Sequence, residues 1–183
     1  MKNPKEKGGG WERKVAKELS LWWSYKKSPR IFIRSASSGA WATIHKKEGV
    51  VAQVGDVAAA DEEGAAFMRK VFIECKHWAK ENSLLFEAIL QKRSQILKWW
   101  QECEDRALDV RKQPWLVIKF NHKPPFVMFS KDFYDEMMDS LGMPKDLKCV
   151  LLIKTHFEES VFNTVMCMKF NEFLQWVKPE SLR

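Results

Sequence analysis

No stretch of this 183-residue chain comes near the ~18 consecutive apolar residues that a membrane-spanning helix needs. Its opening, Met1 to Gly10, is polar and glycine-rich where a signal peptide would be apolar. Membrane insertion and secretion are therefore not expected; the expected location is the cytoplasm, or a host's cytoplasm if the chain is viral. Cysteine is sparse as well. Cys75, Cys103, Cys149 and Cys167 lie far apart, with no CxxC pair and no histidine at zinc-finger spacing. That excludes a disulfide framework or a zinc knuckle and makes a reducing compartment the default. There is no internal repeat, and no low-complexity tract beyond Gly8-Gly9-Gly10, which reads as a flexible lead-in.

What is present is a soluble globular composition, 45% apolar and 30% charged, in a chain long enough for one domain with a proper core. Thirty-one Lys+Arg against 24 Asp+Glu leave a net charge of +7. With a pI near 9.2 and nine tryptophans, this suits a polyanionic partner, although many basic proteins are merely soluble.

Apolar periodicity predicts a helix from about Trp11, with Trp11, Val15, Leu19 and Trp22/Trp23 on one side, ended by Pro29. Ile31 to Arg34 reads as a strand, Ser35 to Gly55 as a long loop with a basic step at His45-Lys46-Lys47, and Asp56 to Ala59 as a strand. Asp61 to Gly64 reads as a turn into a second strand, Met68 to Lys76. Ser83 to about Val110 is the clearest helix, with Phe86, Ile89, Leu90, Ile96, Leu97, Trp100, Cys103 and Ala107 on its apolar face. Pro114 interrupts, followed by strands Trp115–Phe120 and Phe126–Phe129, a helix Lys131–Leu141, strands Cys149–Lys154 and Val161–Met166, and a helix Phe170–Val177. This order predicts an α/β fold, a mixed central sheet flanked by helices. One domain, residues 1–183, is expected.

The chemistry concentrates between Asp56 and Lys76. Phe72, Glu74 and Lys76 alternate along a strand and share one face, while Val71, Ile73 and Cys75 point into the core. If the two strands form a hairpin turning near residue 65, Asp56 stands opposite Glu74, and two carboxylates and a lysine converge. Such a cluster suits phosphodiester hydrolysis: carboxylates are hard ligands for Mg²⁺, and a neighbouring lysine can orient water or stabilise developing negative charge. As a bare pattern, E-x-K means little, since Glu12-Arg13-Lys14 matches it too. An edge strand with a solvated Glu–Lys pair is the plain alternative.

Gly10-Trp11-Glu12-Arg13 opening a helix, Arg34-Ser35-Ala36-Ser37-Ser38-Gly39, Gly55-Asp56-Val57 and Phe72-Ile73-Glu74-Cys75-Lys76 stand in the order seen in PD-(D/E)XK nucleases. The chain resembles the Holliday junction resolvase-like branch of that superfamily, of archaeal and phage type, over about residues 8–130. Residues 131–183 would be a C-terminal extension. The resemblance implies a restriction-endonuclease-like core, cleavage of branched DNA, a homodimer, and Mg²⁺ as cofactor with Mn²⁺ as a substitute. It also implies that Asp56, Glu74, the Cys75 backbone carbonyl and Glu12 hold the metal, that Lys76 is the catalytic lysine, and that Ser38 approaches the scissile phosphate, with Ser37 as the alternative in register. Gln95 matches a glutamine on the helix after the motif strand. Two departures stand out: a longer loop over 40–55 and a C-terminal part without counterpart.

Around this site, Arg34, Lys46, Lys47, His77 and Trp78 are candidate DNA contacts, with Lys26, Lys27 and Arg30 expected at the mouth and Trp41 and Trp78 expected in loops. Trp22, Trp23, Trp99 and Trp100 are expected to pack rather than stack on bases. The competing readings are a restriction-type nuclease on duplex DNA and a non-catalytic DNA-binding or assembly protein on the same fold.

Overall fold

The computed structural model describes residues 4–35, 54–78, 95–142, 150–155 and 162–182. Its elements run α1 (Pro4–Trp23), β1 (Phe32–Arg34), β2 (Val57–Ala59), α2 (Glu62–Lys70), β3 (Val71–Trp78), α3 (Gln95–Asp109), β4 (Gln113–Phe120), β5 (Phe126–Ser130), α4 (Lys131–Leu141), β6 (Val150–Thr155), β7 (Phe162–Lys169), α5 (Phe170–Trp176) and a closing 3₁₀ turn, Pro179–Leu182. No helix among the described residues is long and apolar enough to cross a membrane.

The central sheet has the order β3-β4-β5-β7-β6. β3 and β4 are parallel and the remaining pairs antiparallel, so the expected mixed sheet forms. β3 is an edge strand of that sheet, and β1 and β2 make a separate antiparallel ribbon. Both faces of the sheet are covered. On one, Val71, Ile73, Cys75, Trp115 and Val117 pack against Trp11, Val15, Leu19 and Trp23 of α1 and against Phe133 and Phe173 of α4 and α5. On the other, Phe72, Leu116, Ile118 and Met128 pack against Ile96, Trp99, Trp100, Cys103 and Ala107 of α3. The expected packing role of Trp22, Trp23, Trp99 and Trp100 is thus observed. Leu97, expected on the apolar face of α3, is only half-buried, whereas Trp99 is buried; Phe86, Ile89 and Leu90 lie outside the described residues.

Several expectations are corrected. Gly8 to Gly10 are not a lead-in but turns of α1. Gly9 has a reason to be there: a Cβ would come within 3.2 Å of the Arg34 guanidinium crossing the helix. Asp61 to Gly64 are not a hairpin turn. Asp61 caps α2, its carboxylate accepting the Gly64 N–H at 3.1 Å, with Glu62 and Glu63 in the first turn and Arg69 and Lys70 in the last, each sign where the helix dipole favours it. The second strand consequently begins at Val71, and β2 pairs with β1 rather than β3. Pro114 lies inside β4, and its missing N–H costs nothing on the β5 side because that pairing begins only at Leu116. Also, α1 ends at Trp23, well before Pro29, where Tyr25 and Lys26 turn the chain with φ of 53° and 66°.

Candidate active site

Although the hairpin is absent, Asp56 still reaches the motif strand. Its N–H donates to Ile73 O at 2.8 Å, its carbonyl accepts the Ser35 N–H at 2.9 Å, and its Oδ2 accepts the Cys75 N–H at 2.8 Å. These bonds use the open edge of β3, the side away from β4, so the acid completes that edge as a short strand would. The preceding Gly55 makes the approach possible: with φ of 104°, it sits so close to β3 that a Cβ would lie 2.6 Å from Ile73 O.

Phe72, Glu74 and Lys76 share the α3 face of β3, as the alternation predicts. Glu74 is buried and holds two cations, one on each oxygen: Lys76 Nζ at 2.8 Å from Oε1 and Arg106 Nη1 at 2.7 Å from Oε2. Glu12, on α1, is paired with Arg34 of β1. Its place is set by neighbours in the chain: Trp11 Nε1 donates to Val117 O at 3.3 Å, and Ser20 Oγ accepts the Phe32 N–H at 2.8 Å, tying α1 to β4 and β1.

Burial, then the Glu74 and Glu12 charges, push the Asp56 carboxyl from 3.8 up to about 7, against the opposing pull of the Cys75 N–H and Lys76. Burial works against the Lys76 ammonium, but the charges of Glu74 and Asp56 outweigh it and hold its pKa above the ordinary lysine value. Burial and the same carboxylates raise the Cys75 thiol, so Cys75 stays neutral and its side chain offers no thiolate. Among the described residues, no three His, Cys, Asp or Glu side chains stand close enough together to enclose an ion; Glu12 and Glu74 are each turned toward an arginine.

The other expected residues fall in different places. Ser37, Ser38, Trp41, Lys46 and Lys47 lie outside the described residues. His77 bonds Asn121 Oδ1 at 3.0 Å, in the turn after β4. Trp78 is the last residue of β3, not a loop residue; it is 41% exposed and stands edge-on to Trp99 at 5.2 Å. Gln95 opens the described part of α3, about 16 Å along the axis from Arg106. Lys26, Lys27 and Arg30 are exposed past the C-terminal end of α1, about 16 Å of helix from Glu12, so they do not gather at the mouth. Arg106 is the residue that sequence reasoning missed. Its signal was faint: a charge flanking the apolar face of α3, beside Cys103 and Ala107, with its partner thirty-two residues away.

The family described as "Phage putative PDDEXK endonuclease" matches residues 3–183. The chain belongs to this family, and its α/β architecture agrees with a restriction-endonuclease-like core. No curated protein and no solved structure matches it.

Proposed function

We propose that this family member is a metal-dependent endonuclease that hydrolyses phosphodiester bonds in branched DNA, as a homodimer of Holliday junction resolvase-like type. One observation carries the reading: Asp56 is hydrogen-bonded to the very strand that presents Glu74 and Lys76. Asp56, Glu74 and the Cys75 backbone carbonyl lie on or against one strand and offer oxygen donors, the type a hard divalent cation takes. Among the described residues they do not enclose an ion, Glu12 and Glu74 each being paired with an arginine. Asp56, Glu74, the Cys75 backbone carbonyl and Glu12 would hold Mg²⁺, or Mn²⁺ in its place. The Cys75 carbonyl shares the open edge with its N–H, which supports its place in that set. When bound, the metal would neutralise charge developing on the phosphate and acidify a bound water.

Lys76 holds its proton on Nζ beside Glu74 and donates toward the attacking water or a phosphate oxygen. Ser38, with Ser37 as its alternative, is assigned to the scissile phosphate, and Arg34, Lys46, Lys47, His77, Trp78 and Gln95 to DNA. Residues 131–183 would belong to one domain with the rest, a reading supported by the hydrogen bonding of β7 to β5 and the packing of Phe173 against Trp115 at 4.7 Å.

The test is cleavage of a labelled four-way junction and of the matching linear duplex, with Mg²⁺ or EDTA, by wild type and Glu74→Ala. Symmetric, Mg²⁺-dependent nicks confined to the junction and lost in the variant are expected. Equal cutting of linear duplex would replace the resolvase with a restriction-type nuclease. Binding without cutting, indifferent to Mg²⁺, would leave a non-catalytic DNA-binding protein. Sedimentation showing only monomer at micromolar concentration would overturn the dimer.

A further inference from the structure

We infer that a cavity at the N-terminal end of β3, away from the acid cluster, is a second binding site, for a ligand carrying several phosphate groups. The inference does not depend on the metal-dependent reading above. The cavity, about 540 Å³, lies where the C-terminal ends of α2 and α3 meet the first residues of β3 and β4, beside α4. Val71, at its edge, is five strand residues, about 16 Å, from Lys76. Of the lining residues, Arg69, Lys70, Arg111 and Lys112 are cations, and Glu136 alone is an acid. Arg69 also reaches Glu62 at 3.6 Å, but both side chains are exposed, and such a pair is weak.

Two features set this cavity apart from an ordinary solvated basic surface. Lys112 is buried, 7% exposed, and burial lowers its pKa to about 8. At Lys76 neighbouring carboxylates outweigh the same effect, whereas at Lys112 burial prevails. An anion seated in the cavity would offset that cost. The second feature is Arg111, which follows α3 in left-handed backbone with φ of 54°. Its N–H donates to Leu108 O at 2.9 Å and the Lys112 N–H to Ala107 O at 2.9 Å, a helix ending that glycine usually closes. An arginine there strains the backbone and places a guanidinium on the cavity. Four cations against one acid exceed what a single carboxylate ligand could use. Guanidinium forks match phosphate oxygens, and several phosphates supply the charge. Those phosphates belong either to a nucleic-acid backbone or to a small phosphate ester.

The test uses the full chain in metal-free buffer at fixed salt, with two probes. Inorganic tripolyphosphate is followed by isothermal titration and a labelled DNA duplex by fluorescence anisotropy. Arg111→Gly removes a cation and relieves the backbone, so its unfolding temperature should not fall below that of wild type. Its affinity for at least one probe should drop about 10-fold, the loss of one charge-assisted contact. Lys112→Met removes the buried charge and should show the same loss. Lys17→Gln, an exposed position on α1, lowers the net charge equally and should bind as wild type does. A loss on the duplex assigns the phosphates to a nucleic-acid backbone, and a loss on tripolyphosphate alone to a small phosphate ester. Wild-type binding of both probes by Arg111→Gly and Lys112→Met would overturn the inference. So would an equal loss in Lys17→Gln, which would reduce the effect to net charge.

Discussion

Asp56 Oδ2 accepts the backbone N–H of Cys75 at 2.8 Å, so the acid is fixed to the strand carrying Glu74 and Lys76 by a residue that lies between those two. The bond reaches across nineteen positions of sequence, and with the Asp56 N–H donating to Ile73 O it ties both the backbone and the carboxylate of Asp56 to the strand. It also concentrates negative charge, and several consequences can be measured.

The first concerns pH. The Asp56 carboxyl titrates at about 7 in the folded metal-free protein against 3.8 as its ordinary value. The folded state therefore keeps a proton that the unfolded state has lost. Stability is undiminished below about pH 4, falls as pH rises through this window, and is lower by at most ~4 kcal/mol above about pH 7. Asp56→Asn removes that dependence while its amide oxygen can still accept the Cys75 N–H. Urea unfolding of the metal-free protein should show D56N more stable than wild type at about pH 8 and no different near pH 4. Equal stability at the higher pH would show that Asp56 carries no burial penalty.

Lys76→Ala should lower kcat by roughly 10²-fold or more and leave DNA affinity nearly unchanged, because the lysine acts on charge that develops during the reaction. Single-turnover cleavage beside a binding isotherm separates the two. A loss confined to affinity would reduce Lys76 to a phosphate contact.

Gly55→Ala should be expensive for a single methyl group. The new Cβ meets Ile73 O at 2.6 Å, and the residue must hold φ of 104°, so a loss of about 2 kcal/mol or more is expected. The same change pushes Asp56 off the edge of β3, so activity should fall further than stability alone accounts for. Chemical denaturation and cleavage assays on one preparation test both halves. A variant as stable as wild type would mean that the edge can move.

Trp78 shares the face of Glu74 and Lys76 and is 41% exposed one strand period beyond the lysine. Trp78→Ala should weaken binding to DNA with unpaired bases by about 5–100-fold, the equivalent of one base stack, with little change for a fully paired duplex. Fluorescence anisotropy with the two probes measures the difference. Equal losses on both would make Trp78 a support for Trp99 rather than a platform for a base.

Much of this molecule was legible before folding, because its signals are local. The alternation Phe72-Glu74-Lys76 needs only the two-residue period of a strand, and the apolar faces of α1 and of the described part of α3 need only helical spacing. Asp56 was correctly brought beside Glu74, but by the wrong route. The helix signals of α2 are present in Asp61, Glu62, Glu63, Arg69 and Lys70; taking the first three as a turn and the last two as strand makes the hairpin an error of local reading.

Other features belong to the tertiary structure alone. Which backbone edge receives Asp56, why Gly55 must lie against Ile73, that Gly9 lies beneath Arg34, and which oxygen of Glu74 meets Arg106 all depend on contacts between elements distant in sequence. The amino-acid sequence by itself determined the periodicities and the chemical types at the site, since those follow from each segment's own backbone period. Only the packing of α3, β3 and the Gly55-Asp56 segment decided the charge balance there, since desolvation and Coulomb interactions depend on distance in space and not on separation along the chain.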